Sequence, residues 1–239
     1  MLRGMSLSQA DELPPSLSVA AHELKSPITL MRQLALVLQD GDLSANERQR
    51  YHHQLQIVAD QALQLTTDLA QVANLQPSLF PLEPVNPIAI CQSLAYETSA
   101  IARLYGRNVS WPKARRNTIL AVANPHLLRR IVANFVDNSL KYTEEGVPIE
   151  VKITQEGDGV RVAVRDYGPR LSLKEYRRLT DELVRLKTIR TRPESSGLGI
   201  YIAARFAEAM RGEIGLVRHR DGVTFYVDLL MSRQTSWLS

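Results

Sequence analysis

The sequence predicts two structural units, a helical hairpin followed by an α/β sandwich in which helices cover one face of a single sheet. Apolar residues recur at spacings of three and four through most of residues 14–72, the period of packed helices. Four prolines in residues 77–87 interrupt this pattern. Beyond them, helical and strand-like patterns follow in mixed order, which indicates an α/β sandwich. We therefore expect a hairpin over residues 1–76, a linker over 77–86, a sandwich over 87–231 and a tail over 232–239.

The composition excludes several classes of protein. The 239 residues are 44% hydrophobic and 23% charged, enough for one large domain or two small ones. The net charge of +4 is spread along the chain, which favours a solvated surface over a nucleic-acid-binding one. A single cysteine, Cys91, rules out an intramolecular disulfide framework. No apolar run approaches the roughly 18–20 residues of a membrane span, and no signal peptide is recognisable. We expect a cytosolic chain that neither crosses a membrane nor is exported.

The first helix is expected to extend from Pro14 to about Gln39, and it carries an unusually placed histidine. At about 100° per residue, His22 points away from the apolar seam of this helix, so burial of the seam leaves its imidazole in water. Pro27 removes an amide donor and crowds the carbonyl of Glu23, so the helix should bend beside the histidine. The seam consists of Leu13, Leu17, Ala20, Leu24, Met31, Leu34 and Leu38.

The second helix carries the clearest coiled-coil pattern of the chain. Ser44, with Glu47 three residues later, forms a capping box that marks the start of this helix. Two helices joined by a short connection form an antiparallel hairpin, and a single hairpin cannot bury both apolar seams. We therefore expect a homodimer in which two hairpins form a four-helix bundle. The second seam consists of Tyr51, Leu55, Val58, Ala62, Leu65, Leu69 and Val72.

The expected elements of the sandwich follow the linker in mixed order. A long polar segment, ending near residue 196, separates the last helix from the preceding strands. The expected helices cover residues 87–104, 124–142 and 198–210, and the expected strands cover 108–111, 118–122, 149–154, 160–165, 213–218 and 223–230.

A polar stripe runs along the helix that begins after Asn124. On a helical wheel Arg130, Asn134, Asn138 and Lys141 fall within about 80°, while the other side of the helix is apolar. Amide oxygens are hard ligands for Mg²⁺, which binds beside nucleotide phosphates, and a lysine can neutralise those phosphates. Taken alone, the stripe is better explained by a polar face in contact with solvent.

Two glycine-containing turns add to this pattern. Asp166-Tyr-Gly168 ends a predicted strand, and a carboxylate at that place can accept a hydrogen bond from an adenine amino group. Gly197-Leu198-Gly199 precedes an apolar helix, where main-chain amides and the helix N-terminus can meet phosphate oxygens. Ordinary helix capping explains a lone Gly-x-Gly more often than phosphate binding does. The three signals together, in this order, favour a nucleotide site.

These motifs resemble those of a known family. Between about residues 14 and 231 the sequence resembles the transmitter of a sensor histidine kinase, which joins a dimerisation and histidine-phosphotransfer hairpin to an ATP-binding α/β sandwich of the Bergerat type, shared with gyrase and heat-shock chaperones. His22-Glu-Leu-Lys-Ser-Pro27 resembles the phosphoacceptor box and Asn134-Phe-Val-Asp-Asn138-Ser-Leu-Lys141-Tyr142-Thr143 the asparagine box. Asp166-Tyr-Gly168 and Gly197-Leu-Gly199-Ile200 resemble the two glycine boxes that flank an ATP lid.

The resemblance implies a two-component signalling enzyme. His22 would attack the γ-phosphate of ATP and then pass the phosphoryl group to an aspartate in the receiver domain of a response regulator. Glu23 would accept or orient the proton on the other ring nitrogen. Ser26 stands where phosphatase-competent relatives carry Thr or Asn, which leaves phosphatase activity open. The chain would then work in the cytoplasm, as a free protein or as the cytoplasmic part of a membrane-bound sensor.

The resemblance also implies a nucleotide site for ATP and Mg²⁺. Asn138 and Asn134 would hold Mg²⁺, and Lys141 would contact the phosphates. Tyr142 would stack on the adenine and Asp166 would bind its amino group. The glycine boxes would contribute Gly168, Gly197, Leu198 and Gly199.

The sequence departs from the family pattern at two glycines and in the lid. Arg170 and Ser195 stand where the glycine boxes have glycine, and the lid has no phenylalanine-rich box, Tyr176 being its one aromatic residue. These departures support an alternative, a degenerate transmitter that acts as a scaffold with weak ATP turnover. A further alternative is a gyrase-class ATPase without a phosphoacceptor. The other histidines show no ligand spacing, so no zinc site is expected.

Overall fold

The computed structural model describes residues 17–39, 42–76, 78–104, 106–114, 119–144, 146–168, 171–185 and 198–233. For His22, Glu23 and Tyr142 it describes the backbone, and their side chains lie outside the description. Three residues of the glycine boxes fall outside these ranges altogether, namely Arg170, Ser195 and Gly197. Within the ranges, no helix is long and apolar enough to cross a membrane.

The N-terminal unit is a hairpin of two packed helices. Helix α1 covers Leu17–Leu38 and runs through Pro27, and α2 covers Ala45–Ala73. The predicted capping box is confirmed, because the Ser44 amide donates to Oε2 of Glu47 over 3.0 Å and the Glu47 amide donates to Oγ of Ser44 over 3.3 Å. Capping satisfies amides that the first helical turn leaves without partners.

Apolar side chains of the hairpin fall into two groups. Some positions of the two predicted seams are buried, namely Leu34, Val58 and Val72. Other large apolar side chains of the hairpin are exposed, namely Ile28, Leu30, Leu36, Val37 and Leu63. The exposed group leaves apolar surface on the hairpin that the described part of the chain does not cover.

The C-terminal unit is the predicted α/β sandwich. Its main sheet has the order β2-β4-β5-β7-β6, in which β2 and β4 are parallel and the other neighbours are antiparallel. Strands β1 and β3 form a separate antiparallel pair. The helices are α3 (Pro87–Leu104), α4 (Pro125–Tyr142), α5 (Leu173–Arg185) and α6 (Leu198–Ala209). The strands are β1 (Glu83–Val85), β2 (Asn108–Ser110), β3 (Ala121–Ala123), β4 (Pro148–Glu156), β5 (Gly159–Arg165), β6 (Glu213–His219) and β7 (Gly222–Leu230).

The core lies between the helices and one face of the main sheet. Along β5 every second residue is buried, including Val162 and Val164, because successive side chains of a strand point to opposite faces. The same alternation in β7 turns Phe225 inward. Its ring stacks on Phe135 of α4, with centroids 5.8 Å apart and an angle of 28° between the planes. Helix α4 is therefore fixed against the middle of the sheet.

The hairpin packs on the sandwich through the second half of α2. Val72 belongs to the sandwich core, and Leu65 and Leu69 pack against it. Asp68 lies in the same region with 1% of its surface exposed, and its carboxylate forms an ion pair with Arg130 of α4. Both helices of the hairpin also contact α6. The two predicted units thus share part of one core.

Two elements are present that the sequence analysis does not predict. Strand β1 lies inside the predicted linker and pairs with β3. Helix α5 occupies the first part of the long polar segment, for which the sequence analysis predicts no helix or strand. Its start has the capping pattern of α2, since the Ser172 amide donates to Oε2 of Glu175 over 2.8 Å and the Glu175 amide donates to Oγ of Ser172 over 3.2 Å. At the start of the predicted tail, the Ser232 amide donates to the carbonyl of Leu120 over 2.8 Å.

Candidate functional site

Helix α4 carries the predicted polar stripe, and its start is fixed by capping. The side-chain oxygen of Asn124 accepts hydrogen bonds from the amides of His126 and Leu127, over 3.1 and 3.2 Å. Pro125 occupies the first helical position, where a missing amide donor costs nothing. Capping at this end and the packing of Phe135 set the rotation of α4, and therefore the direction in which its polar side chains point.

The two asparagines of α4 have buried polar atoms without protein partners. Asn134 is buried and Asn138 half-buried. In each, the side-chain nitrogen Nδ2 is buried and has no hydrogen-bond partner among the described residues. The same holds for Oγ1 of Thr143, directly after the helix. Buried polar groups are normally satisfied, so three such atoms on one helix and its end point to a ligand that would complete them.

The charges along α4 divide into two groups. Arg130, the first member of the predicted stripe, points to the hairpin, where Nε lies 2.9 Å from Oδ1 of Asp68 and Nη2 lies 2.6 Å from Oδ2. Lys141, the last member, is exposed. Only the part of the stripe from Asn134 to Lys141 is therefore left to act on a ligand.

Asp137 lies between the two asparagines in sequence. Burial raises the pKa of this carboxyl group, against the opposing attraction of Lys141 and Arg130, and the negative charge of Asp68 raises it further. A raised pKa favours the neutral form. A neutral carboxyl group beside the stripe would repel an anionic ligand less than an ionised one would.

Asp166 follows β5, the strand on which α4 packs. It is 2% exposed, and Oδ1 accepts hydrogen bonds from the amides of Gly168 and Val223, over 3.2 and 3.1 Å. Its own amide donates to the carbonyl of Val223 over 2.9 Å. The carboxylate is thus held by main-chain contacts from its own turn and from β7, an arrangement that orients it for a specific partner.

Helix α6 brings the second glycine box against α4. Leu198 is buried at the start of α6, and a β-carbon placed on Gly199 would lie 3.8 Å from Oδ1 of Asn134. Gly199 therefore lies beside the asparagine stripe, at the N-terminal end of a helix that favours negative charge. The space around Gly199 accommodates a methyl group and its backbone is helical, so neither close packing nor unusual backbone geometry among the described residues requires glycine here.

The structure places the predicted residues in two regions. Asn134, Asn138 and Lys141 on α4, Gly199 on α6, and the Asp166 turn lie in elements that pack on one another. His22, Glu23 and Ser26 lie on α1, whose contacts include α6. Ser26 is exposed on that helix. No group of three or more His, Cys, Asp or Glu side chains with the arrangement of a metal site is found among the described residues.

Sequence reasoning did not identify Gly222, which touches the site. Its φ angle is +123°, and a β-carbon there would lie 2.3 Å from the main-chain oxygen and 2.7 Å from Oδ1 of Asp166. No other residue fits without moving Asp166. The dipeptide Asp221-Gly222 is a turn signal that could have drawn attention to this position. The Asp68 partner of Arg130 has no comparable signal in the sequence.

The chain resembles several known proteins. Residues 123–233, which include α4, the Asp166 turn and α6, match the family described as histidine kinase-, DNA gyrase B- and HSP90-like ATPase. The swarming motility regulation sensor protein RssA of Serratia marcescens is 29% identical over 221 residues, which cover 88% of this chain and 45% of that protein. The sensor protein kinase PmrB of Pseudomonas aeruginosa is 26% identical over 217 residues, 90% of this chain and 45% of that protein. The chain thus spans about half the length of these relatives.

Solved structures show the same fold. The Acinetobacter baumannii histidine kinase AdeS matches with a TM-score of 0.59 and 15% identity, covering 89% of this chain and 98% of that one. Full-length ShkA, solved in complex with AMPPNP, matches with a TM-score of 0.60 and 24% identity, covering 93% of this chain and 47% of that one. Residues 123–233 therefore match the histidine kinase-, DNA gyrase B- and HSP90-like ATPase family, and over most of its length the chain is similar in sequence to sensor kinases.

Proposed function

We propose that the chain is an ATP-dependent protein-histidine kinase of a two-component system. His22 takes the γ-phosphoryl group of ATP and passes it to an aspartate in the receiver domain of a response regulator. One observation carries the proposal. A domain of the ATPase family, with buried amides that lack partners, is packed against a hairpin that carries the sequence His22-Glu-Leu-Lys-Ser-Pro27.

At the nucleotide site, α4 would supply the polar contacts. Asn134 and Asn138 would hold Mg²⁺ through their side-chain oxygens, because amide oxygens are hard ligands. Their buried Nδ2 groups, which have no hydrogen-bond partner among the described residues, would donate to phosphate oxygens. Bound there with ATP, the ion would neutralise charge on the β- and γ-phosphate oxygens. Lys141 is exposed at the end of the stripe and would approach the phosphates from the solvent side.

The base and the remaining phosphate contacts would involve the other predicted residues. Asp166 would accept a hydrogen bond from the adenine amino group. Because Asp166 is buried, water competes less for this hydrogen bond, which makes it stronger. Tyr142 would stack on the ring. The turns around the nucleotide would be formed by Gly168, Gly197, Leu198 and Gly199, of which Gly199 lies next to Asn134.

Two adjacent residues of α1, His22 and Glu23, would carry out the phosphoryl transfer. Nε2 of His22 would attack the γ-phosphorus while the bond from that phosphorus to the bridging oxygen breaks and ADP leaves. Glu23 would accept or orient the proton on Nδ1, which keeps the attacking nitrogen unprotonated. The phosphoryl group would then move from the ring nitrogen to a carboxylate of the response regulator. Ser26 is exposed one turn beyond His22 and could orient a water that attacks the aspartyl phosphate of the response regulator, which would release inorganic phosphate and the free carboxylate.

The exposed apolar side chains of the hairpin support a homodimer. Pairing two hairpins into a four-helix bundle would bury Ile28, Leu30 and Leu63, which are 55, 44 and 67% exposed. Since ATP and response regulators are cytoplasmic, we place the reaction in the cytoplasm.

Incubation of the purified chain with γ-labelled ATP and Mg²⁺ tests this proposal. We expect a protein-bound label that is lost in acid and is absent from the His22→Gln variant, whereas His52→Gln retains it. Nucleotide binding without any label would instead favour the scaffold function.

A further inference from the structure

The turn between β6 and β7 encloses the residue proposed to recognise adenine. Val223 bonds to Asp166 through both its amide and its carbonyl. Gly222 leaves no space for a β-carbon, because that atom would lie 2.3 Å from the Asp166 carbonyl oxygen. The backbone of the turn therefore limits where the Asp166 main chain and Oδ1 can lie.

Arg165 joins the same turn to Asp166 from the other side. Its guanidinium donates through Nη1 to the main-chain oxygen of Asp166 and through Nη2 to Oδ1 of Asp221, over 2.6 Å in the second case. The guanidinium also lies over the ring of Tyr167, 4.3 Å from its centroid. The Arg165 side chain, 12% exposed, is thus fixed by three contacts, with Asp166, Asp221 and Tyr167. The partner Asp221 is 65% exposed, so the anchor of this arrangement lies at the protein surface.

We infer that Arg165, Asp221 and Gly222 are positioning residues that set the preference of the site for adenine over other bases. Arg165 and Gly222 contact Asp166 directly, and Asp221 acts through Arg165; together they fix the position of the Asp166 main chain and so the direction of its carboxylate. A single hydrogen-bond acceptor discriminates between an amino group and a carbonyl only while its position is fixed, since a mobile carboxylate can turn away from an unfavourable base. This inference rests on the proposed role of Asp166.

A second ion pair on the same strands provides a matched control. Arg161 and Asp228 pair through two hydrogen bonds of 2.7 Å, and the Arg161 guanidinium lies over the ring of Tyr226, 3.8 Å from its centroid. The chemistry is the same as at Arg165, but this pair lies four residues along β5 and is not among the contacts of Asp166. Each pair joins an arginine of β5 to an aspartate in or directly before β7, so the Arg161 pair controls for the loss of an ion pair as such.

The experiment compares ATP and GTP affinities by calorimetry in Mg²⁺ for the wild type and for Asp221→Ala, Gly222→Ala, Asp228→Ala and Asp166→Ala. In Asp221→Ala we expect ATP affinity to fall about tenfold with little change for GTP, the size expected for one weakened charge-assisted contact. Gly222→Ala should act in the same direction. Asp228→Ala should keep the wild-type ratio. Because Asp221 is exposed, its variant tests the inference even if Gly222→Ala does not fold.

The Asp166→Ala variant distinguishes a failure of the positioning role from a failure of the proposed adenine contact. If it loses the ATP preference while Asp221→Ala keeps the wild-type ratio, the positioning inference is wrong and the proposed adenine contact stands. If Asp166→Ala keeps the preference, the adenine contact itself is wrong and the inference falls with it. A change in Asp228→Ala as large as that in Asp221→Ala would also overturn the inference, because it would reduce the effect to a general loss of stability.

Discussion

The ion pair between Asp68 and Arg130 should hold the hairpin on the sandwich, and replacing Arg130 tests this. Asp68 is 1% exposed and accepts three hydrogen bonds from Arg130, with a further bond of 3.0 Å from Nε2 of Gln64. In Arg130→Met the carboxylate would stay buried without its cationic partner. Breaking a buried ion pair in this way costs about 3–5 kcal/mol. We therefore expect Arg130→Met to lower the free energy of unfolding by about that amount.

The neighbouring residue supplies the control. Arg129 lies on the same helix and pairs with Glu97, and 31 and 52% of the two side chains are exposed. Exposed pairs contribute about 0–1 kcal/mol, so Arg129→Met should have a much smaller effect. Arg130→Lys should fall between the two, because lysine keeps the charge but cannot donate the paired bonds of a guanidinium.

Urea unfolding measures these differences when it is followed by circular dichroism and by tryptophan fluorescence. A Trp237→Phe background leaves Trp111 in the sandwich as the single fluorescent tryptophan. Agreement of the two signals checks that unfolding is cooperative across both units. The double variant Asp68→Leu/Arg130→Met should recover much of the loss, since an apolar pair can replace a buried ion pair. Equal stabilities of Arg130→Met and Arg129→Met would refute the reasoning.

Three other perturbations follow from the structure. Asn138→Ala should weaken Mg²⁺-dependent ATP binding at least about tenfold while the circular dichroism spectrum stays unchanged, because the proposed amide-oxygen ligand is lost. The buried Nδ2 of Asn138 has no hydrogen-bond partner among the described residues, so its loss should leave the fold intact. Unchanged affinity in calorimetry would remove this residue from the site. Burial raises the pKa of the Cys91 thiol to about 12. A thiol reagent should therefore react with Cys91 at pH 8 only after denaturant is added. Rapid reaction of the native protein would contradict the buried position. Leu63→Asp should convert a dimer into monomers, as measured by light scattering. Leu79→Asp, which changes a similarly exposed residue outside the hairpin, should leave the dimer intact. A dimer that persists in Leu63→Asp would argue against the four-helix bundle.

Much of the fold follows from local sequence patterns. The capping residues Ser44 and Asn124 mark the starts of α2 and α4, because a side-chain acceptor before an apolar helical pattern satisfies the first amides. Alternation of apolar residues identifies β5 and β7, which have one face in the core. These signals depend on neighbours in sequence, so they are visible without the structure.

The elements that the sequence did not reveal depend on partners distant in the chain. Strand β1 is three residues long and owes its form to pairing with β3. Helix α5 is largely polar, and only the Ser172 and Glu175 pair signals its start. The sequence alone therefore predicts neither β1 nor α5.

The candidate site shows the same division. The polar side of α4 can be read from the helical wheel, but the wheel does not tell that Arg130 turns to the hairpin while Asn134 lies beside Gly199. Gly222 meets Asp166 across two strands, a contact between residues far apart in sequence. The sequence predicts which residues share one face of a helix. It does not predict which helices and strands contact each other, so contacts between them require the structure.

The most direct test of the proposed function is to locate the phosphoryl group after reaction with ATP and Mg²⁺, by mass spectrometry of peptides kept at neutral or alkaline pH. We expect one acid-labile phosphoryl group, on the peptide that contains His22, and none in Asn138→Ala, whose nucleotide site would be damaged. Free phosphate released at the same rate by the wild type and His22→Gln, with no phosphorylated peptide, would contradict the account and indicate an ATPase without a phosphoacceptor.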